Sequence, residues 1–183
     1  PKHGHFSSII KVDLGGQRIG LQEMDTLAPY LKGCPIEVLS LANNLIDDNC
    51  LAMLGKVMRS MGQLTDLYLN DNCFSDRGVD ELFNDDNYNE NLQLVNLQRN
   101  ALGPRTSYTL GRMFGPDRPH AHLDKLLLGG RIGNKGWGED RWVILLSSSY
   151  LVYCLITLSL ICTENMDLYS IHLYLISWIC WIY

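Results

Sequence analysis

The side chains able to do chemistry fall into four small groups. His3-x-His5 and His120-x-His122 each offer two imidazoles to a metal ion. A zinc site needs three or four ligands, and no cysteine or acid stands at helical spacing to complete either pair. Solvated loop histidines are the expectation. Asp85, Asn87 and Asn89 in "DDNYNEN" begin like a calcium loop, but Glu90 stands where that loop needs glycine and Asn96 where it needs its closing glutamate. An acidic helix-to-strand connection is expected there instead. Gly15-Gly16 and Gly129-Gly130 each follow an apolar strand core, and close turning of the backbone accounts for them better than phosphate binding. Cys34, Cys50 and Cys73 stand far apart in the chain, in neither a CxxC metal pattern nor a dense disulfide framework. With no N-x-[ST] sequon, this spacing points to a reducing, cytoplasmic location. No GxSxG, P-loop or HExxH motif occurs, so neither an enzyme nor a cofactor is expected.

Charge narrows the partner. The net charge is −5, with Lys and Arg scattered and no basic tail, which argues against nucleic acid. The chain starts at Pro1 rather than Met, as a fragment or a processed chain would, and it shows no N-terminal signal peptide.

The elements that must position any site come from an internal repeat. Ile36-x-x-Leu39-x-Leu41-x-x-Asn44-x-Ile46 recurs from Leu64 to Phe74 and again from Leu92 to Leu102, at intervals of 28 and 28. Ile9-x-x-Val12-x-Leu14-x-x-Gln17-x-Ile19 fits about one period upstream, with Gln in the Asn place. Leu123-x-x-Leu126-x-Leu128 fits downstream after a slightly longer interval, and there Arg131 takes that place. The alternating core puts both apolar side chains on one face of a short strand. Asn suits a chain leaving a strand, because its amide can satisfy free backbone groups.

This pattern resembles the leucine-rich repeat, LxxLxLxxNxL, and its period resembles the ribonuclease-inhibitor-like class. The resemblance covers roughly residues 6 to 140. It implies an α/β solenoid of parallel strands on a concave face and helices on a convex face, with an internal asparagine ladder. Gln17 could imitate a rung of that ladder and Arg131 could not. The expected repeat domain spans residues 1–141, with repeats starting near 9, 36, 64, 92 and 123.

The return segments read as helices. Leu51, Leu54, Val57, Met58 and Met61 recur at helical spacing, with Asp47 or Asp48 as the start and Gly62 as the stop. Ser75 or Asp76 opens a segment carrying Val79, Leu82 and Phe83. Met24, Leu27 and Leu31 form a third apolar face, with Pro29 awkward inside it. Tyr108, Leu110, Met113 and Phe114 form a fourth.

Strand positions pointing away from the core are Lys11, Asp13, Val38, Ser40, Asp66, Tyr68, Leu94, Asn96, Lys125 and Leu127. Asn43, Asn70, Asp71, Gln98 and Arg99 follow along the chain. A rigid sheet holds such residues in a fixed array on which solenoids bind partners. Tyr68 is the aromatic anchor, with Asp66, Asp71, Asn96, Gln98 and Arg99 around it to set orientation.

Residues 142–183 differ in kind. They contain two charges, Glu164 and Asp167, and no Gly, Ala, Pro, Phe, Lys, Arg or Gln. Residues 142–162 have the length of a membrane-spanning helix, which would leave the repeats cytoplasmic because the nearby cations Lys135 and Arg141 precede it. Leu155-x-x-Leu158-x-Leu160 echoes the repeat, with residues 136–150 as its return helix. The composition also fits a segment not native to the fold. A helical hydrophobic tail is the common expectation. The favoured function is a non-enzymatic scaffold binding another protein on the concave face. A membrane-tethered adaptor or receptor fragment and an activator resembling GTPase regulators are the alternatives.

Overall fold

The alternating apolar cores around Val12, Leu39, Leu67, Val95 and Leu126 each become a strand. The structure, a computed structural model, describes residues 11–84, 86–87, 89–114, 123–129 and 142–145. Five strands, β1 (Lys11–Asp13), β2 (Val38–Ser40), β3 (Asp66–Tyr68), β4 (Leu94–Asn96) and β5 (Lys125–Leu128), pair in parallel in chain order. Between them run α1 (Leu21–Leu31), α2 (Asp48–Met58), α3 (Asp76–Leu82) and α4 (Pro104–Phe114). Each helix packs on the next, α1 on α2, α2 on α3 and α3 on α4. The register is unbroken: Val12, Leu39, Leu67, Val95 and Leu126 lie side by side. In all four units the helix begins at the same offset from the end of its strand, Asp13 to Leu21, Ser40 to Asp48, Tyr68 to Asp76 and Asn96 to Pro104. This is a leucine-rich-repeat-like solenoid.

The core lies between the strand row and the helix row. Leu39, Leu67, Leu69, Met24, Leu54 and Val79 are each 0 % exposed. Truncating any one of the large aliphatic members costs about 2–5 kcal/mol. Two expectations about the helices need correction. Tyr108 is 73 % exposed. Among the described side chains of α4 the buried ones are Thr106, Thr109, Leu110 and Met113, and Tyr108 lies about 200° round the helix from Leu110. Pro29 sits inside α1, on its exposed side, where the carbonyl left without an N–H partner can bond water. In α2 the start is Asp47, whose carboxylate accepts from the Cys50 N–H at 2.9 Å, and the helix ends at Met58, before Gly62.

The asparagine ladder is present and runs through three units. Asn44 Oδ1 accepts from Ile19 N–H at 3.0 Å. Asn72 Oδ1 accepts from Asn44 N–H and Ile46 N–H, both at 3.1 Å, and Asn100 Oδ1 from Asn72 N–H at 3.0 Å. Each Nδ2 donates back to its own turn and to the unit before, as Asn72 does to the carbonyls of Leu69 and Leu41. Gln17 does not form a rung. Its side chain is exposed and, among the described residues, donates only to the Gly15 carbonyl, at 3.2 Å. Arg131 lies outside the described residues.

A second ladder joins the helix starts. Asp48, in the first turn of α2, accepts from Ser75 N–H at 2.7 Å, Ser75 Oγ–H at 2.8 Å and Gly78 N–H at 3.0 Å. Asp76, one repeat on, does the same for Gly103 N–H and Thr106. A carboxylate so placed satisfies the free N–H groups of the neighbouring helix start. Gly78 makes this approach fit: a Cβ there would stand 2.6 Å from Asp48 Oδ1.

The start of the hydrophobic tail is not helical. Residues 142–145 form a strand, β6 (Trp142–Leu145), that pairs antiparallel with β5, Leu128 opposite Trp142 and Lys125 opposite Leu145. A return helix over residues 136–150 and a spanning helix beginning at Trp142 are both incompatible with this pairing. A short apolar run satisfies strand and helix patterns alike, and the open edge of β5 selects the strand here. No described helix is long and apolar enough to cross a membrane. The expectations for residues 146–183, including the rest of the 142–162 span, lie outside the described residues.

Candidate functional site

Of the residues able to do chemistry, the described asparagines are engaged in local bonding. His3, His5, His120, His122 and Asp85 lie outside the described residues. Asn87 Nδ2 donates to the Glu81 carbonyl at 2.8 Å. Asn89 is 4 % exposed, and its Nδ2 donates to the carbonyls of Met58 and Met61 at 3.0 and 2.9 Å. These amides finish the ends of helices, where carbonyls lack helical partners. Gly16 adopts a φ of +70°, the turning role expected of it. Cys34, Cys50 and Cys73 are free thiols, and burial pushes the Cys50 thiol up to about 11.

What remains is the outward side of the strands. Register arranges it in rows running across the sheet. One row reads Lys11, Val38, Asp66, Leu94, Lys125; the next reads Asp13, Ser40, Tyr68, Asn96, Leu127. Adjacent members of a row are about 4.8 Å apart, the spacing of paired strands. Tyr68 is half-buried; burial and then the negative charge of Asp66 raise its pKa, so its hydroxyl keeps its proton. Asp13 is held below the usual carboxylate range by the Gly15 N–H, then by the Ser40 hydroxyl, with Lys11 adding to this.

A further row follows the strands. Asn43, Asp71 and Arg99 precede the ladder asparagines at matching positions, and all three have left-handed backbone, with φ of 54°, 59° and 56°. Asp71 N–H donates to the Gln98 carbonyl at 2.9 Å and Arg99 N–H to the Gly129 carbonyl at 2.8 Å, so sheet-like bonding extends into the turns. Arg99 grips Asp71 with two nitrogens, Nε to Oδ1 at 2.6 Å and a terminal nitrogen to Oδ2 at 2.7 Å. Asn70 Nδ2 also donates to Asp71 Oδ2, at 2.7 Å.

The six residues singled out from the sequence divide accordingly. Asp66 and Tyr68 share one side of β3. Asp71 and Arg99 are bound to each other. Gln98 is half-buried and lends its carbonyl to Asp71. Asn96 differs from expectation: it is 8 % exposed, flanked in its row by Tyr68 and Leu127, and its Oδ1 accepts from the Gln98 N–H at 3.1 Å. Its role is to hold the turn. Sequence reasoning missed the left-handed row and the Asp48–Asp76 ladder. Both carry a signal, since Asn43, Asp71 and Arg99, like Asp48 and Asp76, recur with the period of the repeat.

No family model and no curated protein matches the sequence. Among solved structures, the chain is similar to the leiomodin-1 actin-binding site 2 (ABS2), with a TM-score of 0.52 and 16 % identity. The match covers 84 % of this chain and 82 % of that one. At that identity the likeness is one of fold.

Proposed function

We propose that this protein is a non-enzymatic interaction scaffold that binds a protein partner on the outward side of its strands. The observation that carries this reading is the row register, which presents Tyr68, Val38 and Leu94 beside Asp66 on a backbone fixed from both sides. Half-buried aromatic and aliphatic groups with charges at their margin are what protein interfaces use as anchors and guides. The similar solved fold is named as an actin-binding site, which supports a protein as the kind of partner. Asp66, Tyr68, Asp71, Gln98 and Arg99 are the contact residues in this reading, with Asn96 supporting Gln98. The pairing of one strand with one α-helix per unit also supports the ribonuclease-inhibitor-like class. The cytoplasmic location suggested by the cysteines goes with it.

The test compares the proteins recovered by the full chain with those recovered by Tyr68→Ala and Arg99→Ala, each checked for folding by circular dichroism. Loss of specific partners from both variants is expected. An unchanged set would sink the assignment of this face.

A further inference from the structure

We infer that the partner presents a lysine or arginine flanked by apolar side chains, and that its cation seats on Asp66. This rests on the protein-binding reading above. The acids of this face are not equivalent. Asp13 is paired with Lys11 at 3.6 Å and Asp71 with Arg99 at 2.6 Å. The Asp66 carboxylate makes no hydrogen bond or ion pair with any described residue. It is half-buried, between Val38 and Leu94 in its row and two residues from Tyr68 on the same side of β3.

A half-buried anion without a partner among the described residues gains when a cation arrives. The visitor must also replace the water over Val38, Leu94 and Tyr68. A long basic side chain does both, laying its methylenes on apolar surface while its charged end reaches the carboxylate. The Tyr68 ring adds a face to which a cation is attracted. Apolar neighbours in the partner then cover what the stem leaves open. An acidic segment would instead face repulsion from Asp66.

The experiment pans a random displayed peptide library on the immobilised full chain and measures the affinity of selected peptides. The wild type is expected to enrich peptides with one Lys or Arg between apolar residues. Asp66→Asn, which keeps shape and removes charge, should weaken them about tenfold or more. Asp66→Lys should enrich acidic peptides instead. Peptides that lose binding to Tyr68→Ala yet show no basic position, or are indifferent to Asp66→Asn, overturn this inference and leave the binding face standing. Peptides indifferent to both Tyr68→Ala and Asp66→Asn, or no enrichment at all, overturn both.

Discussion

Arg99 holds Asp71 through two hydrogen bonds across adjacent repeats, and both residues have left-handed backbone, with φ of 56° and 59°. The pair therefore joins two places where the chain is conformationally unfavourable. Aspartate tolerates that region; arginine does so less readily. The Arg99 side chain is 59 % exposed, so the pair contributes only about 0.2–1 kcal/mol. Relief of a left-handed residue by glycine is of similar size, about 1 kcal/mol. Arg99→Gly is thus expected to be more stable than Arg99→Ala, although both lose the ion pair. Urea unfolding of the two variants checks this; equal midpoints would contradict the strain.

Asn72 is the second substitution to make. It is 1 % exposed and serves the Asn44 and Ile46 N–H groups and the Leu41 and Leu69 carbonyls at once. Each buried group left without a partner costs about 1–3 kcal/mol. Asn72→Ala should lose at least about 3 kcal/mol, a large part of a typical stability of about 5–15 kcal/mol. Gln17→Ala should change stability by less than about 0.5 kcal/mol. Chemical denaturation distinguishes the two, and similar losses would deny the ladder its role.

Two helical glycines should respond to alanine in opposite directions. At Gly78 a Cβ meets Asp48 Oδ1 at 2.6 Å, Asp48 Cα at 3.1 Å and Leu51 Cδ1 at 3.1 Å. Overpacking there costs about 1–3 kcal/mol and outweighs the gain in helix propensity. At Gly111 no described residue lies within 4 Å, so Gly111→Ala should stabilise by about 0.5–1 kcal/mol. Melting temperatures should fall for the first and rise for the second.

Acid should release the start of α2. The Cys50 N–H holds the Asp47 carboxyl below its ordinary value of 3.8, so the folded state favours the charged form. Its contribution is complete above the unfolded value and fades as pH falls through the lower folded one. Asp47→Ala should cost about 1 kcal/mol near neutrality. The difference between wild type and Asp47→Ala should shrink below about pH 4. A gap that stays constant down to about pH 2 would show that the cap does not titrate.

Much of the architecture was legible because one period imposes both strand alternation and helix spacing. Leu39, Leu67 and Val95 could be assigned to the core from spacing, while the ladder role of Asn44, Asn72 and Asn100 followed from the family resemblance that the spacing carries. What escaped depends on neighbours in other units. Asn96 has the same outward register as Tyr68, yet it is buried between Tyr68 and Leu127 in its row with its amide oxygen turned to the Gln98 N–H. Tyr108 is apolar enough to join a helical face, but two threonines, held by acids of α3, occupy the inward positions. Trp142–Leu145 could be strand or helix until the free edge of β5 was known.

The constant step from strand to helix has an engineering consequence. The return links vary: Leu31 to Val38 and Met58 to Asp66 are short, while Leu82 to Leu94 and Phe114 to Lys125 are markedly longer. Length variation is thus confined to one rim of the solenoid, while the opposite rim, which carries the ladder asparagines, is metrically fixed. Tags, cleavage sites or grafted loops belong on the elastic rim after a helix. A single residue inserted on the rigid rim would displace the rung of that unit from its partners in the adjacent turns.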